Sequence, residues 1–376
     1  MVWCGKRMMW SPANAELLFI GKRLYTNRDA LREKYGRIYQ LPRHWAASGI
    51  ATRLWLVDYH GRDLVREKDG DLDVISTPVR NLAVLRQWGK EAYMRRPKPT
   101  VIVASGDCYI GLMAYRIARR LGARFIFDVY DKYDEFGGYR KLAGFDPFEF
   151  LLRNSDVRLF ASRALLAELS PDSARDVLVP NGLDLQRFAP LDRDASREML
   201  GLPKNLRLVG YFGGMEPDRG VGDLIDAIEL LRMEGNGVEL LLGGIAPAEL
   251  NLRRPGVRYL GNVPFDRMPQ ALASSDVLAV PYRRSAIMDA GASNKIVEAI
   301  ACRRPLAATR TPNLIANFPN QAAQLGELLA EPGDTADLAR VIRAQLEQRL
   351  LVDMPPGMDW PSISTDIARR LSFFSS

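Results

Sequence analysis

Arg219 and Gly220 follow a strand-like run, Arg207–Phe212, and open a helical stretch, while Glu298 sits within Asn294-Lys295-Ile296-Val297-Glu298-Ala299-Ile300. A glycine-broken turn after a strand offers free backbone N–H groups and the positive end of a helix to phosphate. Gly213 and Gly214 supply such a turn, and Arg219 adds a cation to it. A carboxylate at the start of a later helix can accept hydrogen bonds from both hydroxyls of a ribose. Together these groups suit a nucleotide diphosphate. Lys295 and Glu298 lie three apart, on one helical face. The small residues Gly291, Ala292 and Ser293 just before them allow close approach to backbone N–H groups. In the first half of the chain, Asp131 follows the run Phe125–Tyr130, where it can accept a hydrogen bond from a hydroxyl. Each feature has a plainer reading: Arg219 as a surface residue, Lys295 and Glu298 as a surface pair, 291–293 as a flexible loop, and Asp131 as part of a polar loop.

Composition narrows the chemistry. The chain has 376 residues, which suggests two domains rather than one core. Hydrophobic residues make up 47% and charged residues 26%, as in a globular protein. Its apolar runs are too short for a membrane span, and Met1–Arg7 does not read as a signal peptide. Cys4, Cys108 and Cys302 show no metal-ligand spacing and fit a reducing cytoplasm. With two histidines, His44 and His60, a His-based metal site or a Ser-His-Asp triad has little to draw on. The net charge of +7 is uneven. Residues 1–150 hold 26 Lys and Arg against 17 Asp and Glu, and the remainder holds 26 against 28. The basic half suits an anionic membrane surface or a pyrophosphate-bearing partner, or is simply a solvated surface. No nucleic-acid reading module is visible.

Short apolar runs alternate with helical patterns throughout. Glu16–Ile20, Leu54–Val57, Val101–Ala104, Phe125–Val129, Val157–Ala161 and Val177–Val179 read as strands, with helices at Asp29–Ala47, Tyr109–Leu121 and Ala164–Leu169. The pattern restarts after the proline-bounded segment Pro190–Pro203. Strands follow at Leu206–Phe212, Val238–Leu242, Val257–Leu260, Val277–Pro281 and Pro305–Ala308, and helices at Gly220–Arg232, Phe265–Ala273, Lys295–Cys302 and Thr335–Leu350. The fold class is therefore α/β, with two Rossmann-like doubly wound domains. Ligands in such folds bind beyond the carboxyl ends of strands, so the cleft between the domains is the expected site.

A set of ordered motifs sharpens this. Val179-Pro180-Asn181-Gly182-Leu183-Asp184 with Phe188-Ala189-Pro190, Gly213–Gly220, Val257–Pro264, Ser275–Tyr282 and Asn294–Pro305 resemble, in order, the signatures of family 4 glycosyltransferases (glycosyl transferases group 1). Asp359-Trp360 resembles the family's closing segment. The resemblance implies the GT-B fold: residues 1–190 as an acceptor-binding domain, 191–355 as a nucleotide-sugar-binding domain, and 356–376 as a helix returning to the first. It implies a retaining, metal-independent transfer of a sugar from a UDP- or GDP-sugar, which is a substrate rather than a cofactor. The expected acceptor is a hydroxyl of a glycan or polyprenyl-diphosphate-linked glycan in bacterial surface or exopolysaccharide assembly. The expected location is the cytoplasm, at the inner face of the plasma membrane.

Carried over residue by residue, the resemblance gives Asp131, Arg219 and Lys295 catalytic roles. It gives Gly213, Gly214, Arg219, Asp289, Gly291, Ser293, Asn294, Lys295 and Glu298 to the nucleotide-sugar. It gives Lys22, Arg23 and Arg28 to the acceptor side, within a cationic and aromatic lip, Lys22–Arg43, that suits a polyprenyl-diphosphate sugar at the inner leaflet or is a solvated helix face. Asn181, Gly182 and Asp184 read as turn residues. The chain departs from the family at Ala290, where a second Glu is usual and neighbouring Asp289 is the substitute, and at Tyr130, where His is usual. Those departures keep open a catalytically silent scaffold of a polysaccharide assembly complex. A nucleotide-sugar epimerase is the enzymatic alternative.

Overall fold

The computed structural model describes residues 16–25, 28–141, 144–170 and 173–373. The readings of Met1–Arg7 and Cys4 lie outside the described residues. Two compact units form. One holds residues up to Phe160, Leu169–Val179 and the stretch from Trp360, and the other holds Ala161–Glu168 and Pro180–Asp359. The long switch between them thus falls at Pro180, ahead of the boundary expected at 190.

The first unit is built on β1 (Leu17–Lys22), β2 (Thr52–Asp58), β3 (Val65–Asp69), β4 (Leu72–Pro78), β5 (Val101–Ser105), β6 (Arg124–Val129), β7 (Val157–Phe160) and β8 (Asp176–Leu178). They are ordered β8-β7-β6-β5-β1-β2-β4-β3, all parallel except β3 against β4. Leu18, Leu54, Val103 and Phe127 are buried on strands whose neighbours are buried too, as a sheet covered on both faces requires. The expected strands form with ends displaced by at most two residues. The hairpin of β3 and β4 was not expected, because the exposed edge strand Val-Arg-Glu-Lys-Asp carries little apolar signal. The expected helix Asp29–Ala47 is broken into Ala30–Glu33 and Gly36–Ala47. Lys34 turns into the left-handed region (φ 49°), Tyr35 is extended, and Gly36 again has positive φ (70°). The last helix, Trp360–Arg370, packs on Gly36–Ala47, where Trp45 donates Nε1–H to the Ser364 carbonyl at 3.0 Å.

The second unit is built on β9 (Arg207–Phe212), β10 (Val238–Gly243), β11 (Val257–Tyr259), β12 (Val277–Val280), β13 (Leu306–Thr309) and β14 (Leu329–Ala330). Their order is β11-β10-β9-β12-β13-β14, all parallel. Counted within the unit this is 3-2-1-4-5-6, and the order reverses between β9 and β12. At the opposite end of β12, the Asp276 carboxylate binds Arg193, Arg197 and the Leu208 N–H. Burial pushes Asp276 up, but those donors outweigh it and hold the carboxyl below its usual range.

Two polar contacts contribute to the stability of the first unit. Arg37, fully buried, donates to both Asp128 oxygens at 2.6 and 3.0 Å and to the Val179 carbonyl at 2.8 Å, while Ser105 donates to Asp128 at 2.6 Å. Removing one partner leaves a buried unpaired charge, so Arg37→Met is expected to cost about 3–5 kcal/mol. Arg37→Met with Asp128→Leu should recover most of it, read by urea unfolding. Asp146 caps the helix Pro147–Asn154, accepting from the Phe148 and Glu149 N–H groups and pairing with Lys141 at 2.8 Å. Burial pushes it up, but Lys141, the Tyr139 hydroxyl and the Glu149 N–H outweigh it and hold it at about 2. A carboxylate depressed in the folded state stabilises above its unfolded pKa and loses that contribution as pH falls through the folded value. Asp146→Ala should cost about 1 kcal/mol near neutrality. The difference from wild type should fade as pH falls from about 4 toward about 2.

Candidate functional site

The carboxyl ends of β9 and β12 flank the reversal of strand order, where α/β sheets bind ligands. From β9 the chain enters Gly213, whose φ is 142° and whose backbone lies under the Lys295 side chain: a Cβ on Gly213 would fall 2.6 Å from Lys295 Nζ. It then passes Glu216 and the 3-10 turn Pro217–Arg219 to Gly220, and the helix Val221–Met233 begins. Gly220 has φ 69°, and a Cβ there would lie 1.8 Å from the Pro281 carbonyl oxygen. Only glycine fits. From β12 the chain runs through Pro281 and Tyr282, a short helix Ala286–Ala290, and then Ser293 to the helix Asn294–Ala301. The two loops are stitched together. The Arg283 N–H donates to the Asp218 carbonyl at 2.9 Å, Ser285 donates to the Asp218 carboxylate at 3.1 Å, and the Arg283 guanidinium forks onto Asp223 at 2.5 and 2.6 Å.

Two cations are held on tyrosine faces here. The Arg219 guanidinium lies 5.5 Å from the Tyr282 ring centroid, and Lys295 Nζ lies 5.7 Å from that of Tyr211. The buried Arg219 Nε donates no hydrogen bond among the described residues, and the nearest carboxylate, Glu216, is 3.5 Å from it. Burial favours loss of its proton, but Tyr282, Tyr211, Glu216 and Asp218 outweigh that and keep Arg219 charged. Burial pushes the Tyr282 phenol up, yet Lys295 and Arg219 overcome it and hold the phenol below the ordinary tyrosine value. A buried phenol so depressed reports a positive potential.

Both helix starts lack a side-chain cap. Gly220 has no side chain, and the Ser293 hydroxyl is engaged with Tyr282 at 2.9 Å instead of capping Asn294–Ala301. Lys295 stands in that first turn, where a cation opposes the helix dipole unless an anion is present. Glu298, 8% exposed, lies one turn further on. The arrangement offers two cations and two uncapped helix ends to a polyanion, with a carboxylate beyond them.

The sequence-predicted residues divide. Gly213, Arg219, Ser293, Asn294, Lys295 and Glu298 come together on the ends of β9 and β12. Gly214 sits in the same turn, its carbonyl accepting from the Tyr211 hydroxyl at 2.6 Å. Gly291 to Ser293 are fixed rather than a flexible loop. Asn317 donates to the Gly291 carbonyl at 3.0 Å, Asn181 to the Ala292 carbonyl at 3.1 Å, and the Ser293 N–H to Asn313 at 3.2 Å. Asp289 is held by Arg284 at 2.7 Å, and the Ala290 carbonyl accepts from the Ser162 hydroxyl. Tyr282, Asn313 and Asn317 were missed as site residues. Tyr282 lay inside a quoted motif, and the i, i+4 spacing of Asn313 and Asn317 was the one available signal.

In the first unit Asp131 follows the end of β6 and accepts from the Tyr25 hydroxyl at 3.2 Å, while Tyr25 stacks on Tyr130 with centroids 4.6 Å apart. The expected cationic lip is corrected. Each of its seven cations meets a carboxylate: Lys22 meets Asp107, Arg23 meets Asp29 and Asp58, and Arg28 meets Glu33. Arg32 meets Asp29, Lys34 and Arg43 share Asp69, and Arg37 holds Asp128. Arg23 is itself buried at 8% exposure, so it organises the fold instead of facing an acceptor. Among the described residues no group of three or more His, Cys, Asp or Glu is placed to hold a metal ion, and no helix is long and apolar enough to cross a membrane.

Residues 207–348 match the family described as glycosyl transferases group 1. This region is a group 1 glycosyltransferase domain. A Bacillus subtilis glycosyltransferase named for teichuronic acid biosynthesis is 28% identical over 201 residues, which are 53% of this chain and 49% of that protein. The chain spans about half the length of the curated relatives it matches. The structure is similar to sucrose-phosphate synthase from Thermosynechococcus elongatus, with a TM-score of 0.69, 16% identity, and 95% of this chain and 98% of that one covered. It is also similar to Anabaena HepE, crystallised with UDP-glucose, with a TM-score of 0.66, 18% identity, and 96% and 100% covered. The chain has the GT-B fold.

Two outcomes test this geometry. Gly220→Ala combines positive φ with a clash against Pro281 and should lower stability by about 2–3 kcal/mol or more in thermal unfolding. In ultraviolet titration, wild type minus Tyr282→Phe should show one phenol ionising below the usual value of about 10. Pyrophosphate should push that ionisation back up, since a bound anion disfavours the phenolate.

Proposed function

We propose that the chain is a retaining, metal-independent glycosyltransferase of family 4 that moves a sugar from a UDP- or GDP-sugar to a hydroxyl of a glycan or lipid-linked glycan. The observation that carries this is the pair Arg219 and Lys295 beside two uncapped helix ends at the reversal of strand order. In this reading the diphosphate lies against Arg219, Lys295 and the first-turn N–H groups, and Glu298 takes the ribose hydroxyls. As the bond from the anomeric carbon to the diphosphate breaks, negative charge grows on the leaving oxygen. Fixed cations and amides there stabilise that charge more in the transition state than in the ground state. The buried ring of Tyr282 carries the Arg219 guanidinium on its face and fixes Ser293 through its hydroxyl, so the donors are oriented before the reaction. Asp131 is assigned to a sugar or acceptor hydroxyl, with the Tyr25 hydroxyl holding its carboxylate. The resemblance of the signature motifs and the relative named for teichuronic acid biosynthesis support a setting in bacterial surface polysaccharide assembly.

Thermal unfolding with a panel of UDP-, GDP- and ADP-sugars, without added metal, tests the reading. One donor at about a hundred times its Kd should add about 2.7 kcal/mol to wild type. Glu298→Ala should abolish the shift. Arg219→Ala and Lys295→Ala should each weaken donor binding by about ten- to a hundredfold, as loss of a charged hydrogen bond does. No shift with any donor, from folded protein, turns the reading to a scaffold without catalysis.

A further inference from the structure

Each cation of Lys22–Arg43 lies against a carboxylate, but the first unit carries other basic runs. Arg80–Lys98 holds Arg80, Arg86, Lys90, Arg95, Arg96 and Lys98 against one carboxylate of its own, Glu91, and of these cations Arg95 lies 3.8 Å from both Glu91 and Asp73. The segment is a helix, Ala83–Gly89, that runs on as a π-turn, Lys90–Met94.

Its polarity is inverted. A surface helix ordinarily buries apolar side chains and shows polar ones. Here the buried side carries, beside Ala92, the polar Gln87 and Glu91, 4% and 1% exposed. Gln87 donates to Glu91 at 2.8 Å, and Arg53 from β2 pairs with Glu91 at 2.6 Å. The outer side shows Leu82, Leu85 and Met94 at 61%, 59% and 69% exposure. The one acidic group of the run is thus withdrawn between Arg53 and Arg95, and the exposed side is apolar and cationic.

Two local features fit a surface made for contact. Leu82, a bulky residue, sits in the left-handed region (φ 59°) at the start of the helix, where its side chain stands in water. At the far end Tyr93 packs edge-on to Trp88 with centroids 5.4 Å apart, under the Arg120 guanidinium at 4.2 Å. Amphipathic aromatics beside cations suit the boundary between water and lipid.

We propose that Leu82–Lys98 is a membrane-surface element that lies in the headgroup layer of an anionic lipid bilayer, with Leu82, Leu85 and Met94 inserted and the flanking arginines and lysines on lipid phosphates. Charge complementarity selects this occupant: leucines alone would serve any apolar partner, but leucines ringed by cations with the sole carboxylate withdrawn suit an anionic lipid surface. The inference does not rest on the reading of the donor site.

Flotation of the full chain with vesicles tests it. The protein should float with phosphatidylcholine mixed with phosphatidylglycerol and stay behind with phosphatidylcholine alone, and salt should weaken the binding. Leu85→Asp with Met94→Asp should lower partitioning by about tenfold or more, and Arg86→Glu with Lys98→Glu should do the same. Both pairs are exposed, so the unfolding temperature should stay at the wild-type value, and this identifies any loss as a loss of the surface. Equal binding by wild type and variants overturns the proposal, as does failure of wild type to float with the anionic vesicles. A concentration-dependent dimer in light scattering that Leu85→Asp dissolves, without flotation, overturns it in favour of a second copy of the chain.

Discussion

The Pro281 carbonyl occupies the space a side chain on Gly220 would need, and the arrangement of the second unit's site depends on that contact. It lets the turn after β9 lie directly against the chain leaving β12. With the two loops in contact, Asp218 and Asp223 can take Arg283 and Ser285, and Arg219 is carried onto the face of Tyr282. A similar close approach at Gly213 puts Lys295 over the backbone of the same turn. The cations are brought together by backbone packing, not by attraction, since they repel one another and oppose a helix dipole. Such an arrangement gives up stability at the site and is held by the rest of the unit.

What the sequence discloses here follows from how local the physics is. Strands buried on both faces are legible as apolar runs, and the glycines and cations at their ends are legible as punctuation. Gly213, Arg219, Lys295 and Glu298 were singled out that way. Asn313 and Asn317 were not, because an asparagine that binds a distant carbonyl looks like any loop asparagine until the chain is folded. Asn181 belongs to a recognisable motif, yet its work is to hold the Ala292 carbonyl at 3.1 Å, 111 residues away. Asp276 is likewise a signature residue whose contacts tie together the end of the sheet remote from the site. The edge hairpin and the break at Lys34 escaped because the first is polar on its exposed face and the second lies within an uninterrupted helical pattern.

Charge is where a linear reading misleads most. A count of lysines and arginines gives the sign of a segment but not the whereabouts of its carboxylates. Arg37 and Asp128 stand 91 residues apart and meet in the core, and Arg53 and Glu91 stand 38 apart. Lys22–Arg43 looks like a free basic lip, yet each of its cations stands against a carboxylate. Arg80–Lys98 looks unremarkable and keeps most of its charge, because its single acid faces inward onto Arg53.

The chain leaves the first unit at Ala161, re-enters it at Leu169, leaves again at Pro180 and returns at Trp360. The short excursion Ala161–Glu168 supplies Ser162, whose hydroxyl binds the Ala290 carbonyl, and the Arg163 N–H, which binds Asn317 at 2.8 Å. The loop before Asn294–Ala301 is thus completed from a segment that lies among the first unit's residues in sequence. In evolutionary terms the two halves are not free cassettes. Recombination joining this second unit to a foreign partner at residue 180 would leave those eight residues behind, and the graft would inherit a loop that had lost the Ser162 tie and the Arg163 support of Asn317. Exchange of specificity in this chain is therefore steered toward point substitution within each half.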